Sequence, residues 1–155
     1  MKNVIFISLL VLSLSYIYDA NEALEYTKEH CPESDVEYSR SGRPIPIFDN
    51  SGAIFVTKCL KAGGLDTSNC MTDDNGNISS TSNLSSCLTQ KGWKSSTTFP
   101  RKFRAGYPLI IGEYSFMATE VEGENVKYSS HSLLSMCNDH IGSIIGETPL
   151  YFYLD

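Results

Sequence analysis

The sequence predicts an α+β fold, and three observations carry that prediction. Apolar residues at helical spacing fall in the first part of the chain, up to Gln90. Runs rich in β-branched and aromatic residues follow Gly106, separated by short turns, which implies an antiparallel sheet. The two kinds of segment do not alternate, so helices come first and strands after.

The first helix is expected over Asn21 to His30, with Asp19 as N-cap and Ala23, Leu24 and Thr27 on one side; Pro32 ends it. Glu33 to Asn50 reads as irregular, with an extended stretch from Arg43 to Ile47 set by Pro44 and Pro46. Ala53 to Ala62 (AIFVTKCLKA) is the clearest helix. It buries Ile54, Phe55, Cys59 and Leu60, exposes Lys58 and Lys61, and stops at Gly63-Gly64. Leu65 to Ser82 is a polar loop, and Asn83 to Gln90 is a shorter helix ending at Gly92. Strands are expected over Tyr107 to Ile111, Tyr114 to Val121, Asn125 to His131 and Leu150 to Leu154, with a turn at Gly123.

The chain has 155 residues, enough for one domain. Lys2 followed by the apolar run Val4 to Leu14 reads as a secretory leader, too short to span a bilayer as a helix. Ser13 and Ser15 form a small-x-small site, so residues 1–15 are expected to be removed and 16–155 to form the domain, secreted or held in a secretory vesicle lumen. The net charge of −6 lacks the Lys/Arg surplus that phosphate binding needs, which argues against a nucleic-acid partner. The one local basic cluster (Lys91, Lys94, Arg101, Lys102, Arg104) reads as a solvated face.

Five cysteines follow the leader, and an oxidising route makes disulfides the default. Cys70 and Cys87 flank a loop carrying the sequons at Asn77 and Asn83, expected glycosylation sites, and are expected to pair. Cys31 with Cys137 remains, although spacing alone leaves other pairings open. Cys59, on the buried side of its helix, is the expected thiol outside both bridges. No Cys/His spacing suggests a metal site, and no cofactor is implied.

The segment Phe55 to Gly64 (FVTKCLKAGG) resembles the signature helix of the putative amidase domain family, a branch of the papain-like cell-wall peptidases and amidases. Tyr18 to Tyr26 (YDANEALEY), Leu88 to Trp93 (LTQKGW), Phe103 to Pro108 (FRAGYP) and Tyr128 to Ser132 (YSSHS) keep the family's order. The resemblance implies a papain-like fold and a cysteine nucleophile at the helix N-terminus, where the macrodipole favours thiolate. It also implies a histidine from the sheet as base and a third polar group that orients it.

At the nucleophile's position this chain has Gly52, preceded by Ser51 where the family has Asp. At the base's position it has Tyr114, whose ordinary pKa of about 10 makes it a poor base near neutrality. Only the third position is kept, as His131. The resemblance therefore implies a non-catalytic relative that binds peptide or peptidoglycan-type ligands in a vestigial groove. Two alternatives stay open. One is an active amidase with displaced residues, for which Ser51 with His131 is the best candidate. The other is a disulfide-linked structural or interaction protein. If the framework is otherwise intact, Gly52→Cys with Tyr114→His is expected to restore some hydrolysis.

Overall fold

The computed structural model describes residues 17–33, 36–38, 40–46, 51–132, 136–140 and 147–155, with backbone only for 36–38 and 44–46. The expected leader, with its cut after Ser15, lies outside these residues.

Helix α1 (Ala20–His30) begins where Asp19 accepts hydrogen bonds from the amides of Asn21 and Glu22, and it buries Ala20, Ala23 and Thr27 along one stripe. Asp19→Ala should lower stability by about 1 kcal/mol in urea unfolding, the usual worth of an N-cap; no measurable change would show that the cap carries nothing. A short antiparallel ribbon follows, β1 (Val36–Tyr38) with β2 (Pro44–Pro46), inside the segment expected to be irregular. Its second strand lies within the stretch from Arg43 to Ile47 that the prolines were expected to hold extended; the pairing with Val36–Tyr38 is what the sequence did not show.

Helix α2 (Ala53–Ala62) is the centre of the molecule. It buries Ala53, Ile54, Phe55, Val56, Thr57, Cys59 and Leu60, more than one face, because α1 packs on one side and the sheet on another. The Asp19 amide donates to the Gly63 carbonyl at 2.7 Å, so the start of α1 is pinned to the end of α2. Helix α3 (Thr81–Gln90) starts two residues earlier than the sequence suggests, because Ser80 supplies the cap by accepting from the Asn83 amide.

The remaining strands are β3 (Lys94–Ser96), β4 (Pro108–Ile111), β5 (Tyr114–Glu122), β6 (Asn125–Ser130), β7 (Met136–His140) and β8 (Leu150–Tyr153). They form one antiparallel sheet in the order β3-β8-β4-β5-β6-β7. The fold is thus α+β, helices followed by an antiparallel sheet, with six strands where the sequence shows four. The two additional strands, β3 and β7, are the sheet's edges. They are largely exposed and polar, so neither carries the apolar alternation that marks a half-buried strand.

Phe55, Val56 and Leu60 of α2 join Leu109, Phe116, Met117 and Phe152 of the sheet in one core. Each such side chain contributes roughly 1.5–3 kcal/mol on burial. Trp93 is a core anchor, 3% exposed and edge-on to Tyr18 and Tyr107. Disulfides join Cys31 to Cys137 and Cys70 to Cys87. Among the described residues no helix is long and apolar enough to cross a membrane.

The basic cluster is largely engaged within the protein. Lys94 and Lys102 both pair with Asp155, and hydrogen bonds from these two lysines hold its carboxyl below the ordinary range. Lys91 donates to the Ser68 carbonyl and Arg104 to Asn21.

Candidate functional site

The N-terminus of α2 points at the sheet where β5 begins and β6 ends. Gly52 is the N-cap residue, in the left-handed region at φ +76°, and no side chain of its own caps the helix. Ser51 does part of that work: its Oγ accepts from the Ala53 amide at 3.2 Å, while its carbonyl accepts from the Ser115 amide at 2.7 Å. The backbone of Ser51 thus locks the helix start onto the residue that follows Tyr114.

A side chain at position 52 would begin 2.6 Å from Ser130 Oγ, 2.9 Å from the Ser115 carbonyl oxygen and 3.4 Å from the Ser132 amide nitrogen. Those groups already satisfy one another. Ser130 Oγ donates to the Ser115 carbonyl at 2.9 Å and accepts from the Ser132 amide at 3.1 Å. All three serines are buried, with Ser115 and Ser130 fully so. Register shifts on both sides of β6, between Ala118 and Glu120 and between Tyr128 and Ser130, accompany this placement.

The fold therefore brings Gly52, the start of β5 and the end of β6 together, the three places at which the sequence positions Gly52, Tyr114 and His131. Tyr114 is partly buried at the first position of β5. His131 is half-buried, stacked on Phe55 with ring centroids 3.8 Å apart, and its Nε2 lies 2.8 Å from the Cys31 carbonyl oxygen. His30 bonds to Glu33 at 2.8 Å, and His140 is exposed on β7. If the register of the resemblance slips by a residue or two, Asn50 or Ser51 takes the nucleophile's position; Asn50 lies outside the described residues.

The expected rescue needs correction. Gly52→Cys would place its Cβ against a backbone carbonyl and a buried hydroxyl in a backbone conformation that L residues resist, so the substitution cannot simply supply a thiol. Cys59 lies outside both disulfides and is buried to 0% exposure. It cannot reach another molecule from the native state, which removes the covalent basis for a disulfide-linked dimer. Of the two sequons, Asn77 is only 6% exposed, whereas Asn83 is partly exposed in the first turn of α3; a glycan leaves through the side-chain amide, so Asn83 is the better acceptor.

Beside Ser51 opens a cleft of about 640 Å³ between the start of α3 and the β4–β5 hairpin. Serine and threonine hydroxyls dominate one wall, from Ser79 to Ser85 along the start of α3. Ile110 and Leu150 supply apolar surface, and Glu113 lies on the hairpin. The sequence reading missed this cleft and the Ser115–Ser130–Ser132 closure. The serine run was visible, but it reads equally well as a glycosylated loop. Among the described residues no group of histidine, cysteine and carboxylate side chains could hold a metal ion. In comparisons with family models, curated proteins and solved structures, the chain matches none.

Proposed function

We propose that this protein is a secreted amidase-like domain of papain-like ancestry that does not hydrolyse amides and instead binds peptide or peptidoglycan-type ligands in the groove beside the α2 N-terminus. One observation carries the non-catalytic part. The place where a nucleophile would be attached is a glycine whose missing side-chain volume is taken by Ser130 Oγ and the Ser115 carbonyl. Amide hydrolysis by a thiolate needs an ionisable sulfur beside a base. Here the only thiol outside the disulfides is fully buried in the helix, two turns away from its start.

The amidase-like part rests on the order of the sequence matches. The convergence of Gly52, β5 and β6 supports it. Two disulfides fit passage through an oxidising compartment. The open cleft next to Ser51 has the volume of a ligand site and polar groups to orient a ligand.

The test is direct. The purified protein is incubated with peptidoglycan and with amide and peptide substrates, and binding is followed separately by calorimetry. No turnover, with measurable binding of at least one peptide or peptidoglycan fragment, is expected. Robust turnover that vanishes on Ser51→Ala or Cys59→Ala would end the non-catalytic reading.

A further inference from the structure

The cleft beside Ser51 has a one-sided chemistry. Ser80 Oγ is committed to capping α3, and Thr81 Oγ1 donates to the Glu113 carbonyl at 2.7 Å. The hydroxyls of Ser79 and Ser85 have no such protein partner among the described residues, which leaves them for a ligand's hydrogen-bonding groups.

Charge is present with one sign only. Glu113 lies in the lining, exposed on the β4–β5 hairpin. The Glu147 carboxylate lies against Gly112 of the same hairpin, where a Cβ would collide with it. Neither carboxylate has an ion-pair partner among the described residues, and no lysine or arginine lines the cleft. An anionic ligand would meet uncompensated negative charge. A purely apolar ligand would strip water from the hydroxyls without replacing their bonds. What the lining accommodates is a cation on an aliphatic stem: Ile110 and Leu150 for the methylenes, the Glu113 carboxylate for the charge with Glu147 close by at Gly112, the serines for flanking N–H and C=O groups.

We infer that this cleft engages a peptide through a lysine side chain, with its ammonium at the Glu113 and Glu147 rim. The inference rests on the peptide-binding reading above and narrows it to a cationic class. Calorimetric titration of the whole mature protein with three blocked tripeptides tests it: acetyl-Ala-Lys-Ala-amide, acetyl-Ala-Ala-Ala-amide and acetyl-Ala-Glu-Ala-amide. At low ionic strength the lysine peptide should bind roughly two- to fivefold tighter than the alanine peptide, as expected for an exposed charge pair, and the glutamate peptide weakest. Added salt should shrink the difference. The double variant Glu113→Gln/Glu147→Gln, two exposed substitutions that leave the core untouched, should erase the preference. Equal affinity for all three peptides, or a preference for glutamate, overturns the lysine inference and leaves peptide binding standing. A lysine preference that survives in the double variant overturns its placement in this cleft. Failure of all three peptides to bind overturns the inference and the peptide reading together.

Discussion

Gly52→Ala and Gly52→Cys should each lower stability by about 2–5 kcal/mol, and neither should produce an enzyme. Two costs add. An L residue held in the left-handed region costs roughly 1–2 kcal/mol relative to glycine. Overpacking a site with no free volume costs typically another ~1–3 kcal/mol. Here the incoming Cβ meets the Ser130 hydroxyl at 2.6 Å and the Ser115 carbonyl at 2.9 Å. The hydroxyl belongs to a short, fully buried side chain, and the carbonyl belongs to a strand of the central sheet. Neither can move aside without breaking the bonds that join β5, β6 and Ser132.

Alanine is the cleaner probe because it adds the Cβ and nothing else. Urea unfolding of Gly52→Ala, Ser130→Gly and the pair together gives a double-mutant cycle. A favourable coupling is expected, since Ser130→Gly removes the nearer obstacle. The pair should still fall short of the parent protein, because the Ser115 carbonyl and the backbone conformation remain. A Gly52→Ala protein as stable as the parent, to within about 0.5 kcal/mol, would sink the claim that this position is closed. It would also reopen the route to a restored thiol.

How much of this was legible depends on what each feature writes into the sequence. Asp19 and the Gly63-Gly64 stop are local signals, and the helices they bound lie within a residue or so of expectation. Strands β4, β5, β6 and β8 were visible because each pairs inside the sheet and carries apolar or aromatic residues that pack on the core. The edges were not. Lys94–Ser96 and Met136–His140 owe their strand form to the neighbours they hydrogen-bond, β8 and β6, and not to a hydrophobic face of their own. At the candidate site, Gly52 could be read as a missing nucleophile. That its place is filled could not, because Ser115, Ser130 and Ser132 meet it only through the pairing of β5 with β6 and their packing on α2. Glu147 escaped notice for the same reason. It approaches Gly112 across a distance in sequence that no local pattern spans.

Removing the Cys31–Cys137 bridge should be among the most damaging changes open to this fold. The two cysteines are separated by 106 positions, and the closed loop contains α2, α3 and strands β1 to β6. In the chain-entropy view, cross-linking a loop of that length stabilises the fold by about 4–5 kcal/mol. A domain of this size is stable by only about 5–15 kcal/mol in all. The Cys70–Cys87 bridge spans 17 positions, and the same argument gives about 3 kcal/mol.

The long bridge also has a local role that loop entropy does not capture. Cys31 is buried at the C-terminal cap of α1, while Cys137 lies on β7, an edge strand that pairs only with β6 and is otherwise exposed. The bridge ties that edge to the helix layer. The variant Cys31→Ala/Cys137→Ala should therefore melt roughly 10–20 °C lower, against a smaller drop for Cys70→Ala/Cys87→Ala. Amide exchange should accelerate first along β7 and at the end of β6, where Ser129 Oγ accepts the Asn138 amide and where the Ser130 closure over Gly52 begins. If the two double variants melt alike, or if β7 stays as protected as in the parent, the bridge does not hold the edge. The order of the site would then rest on the β5–β6 pairing alone.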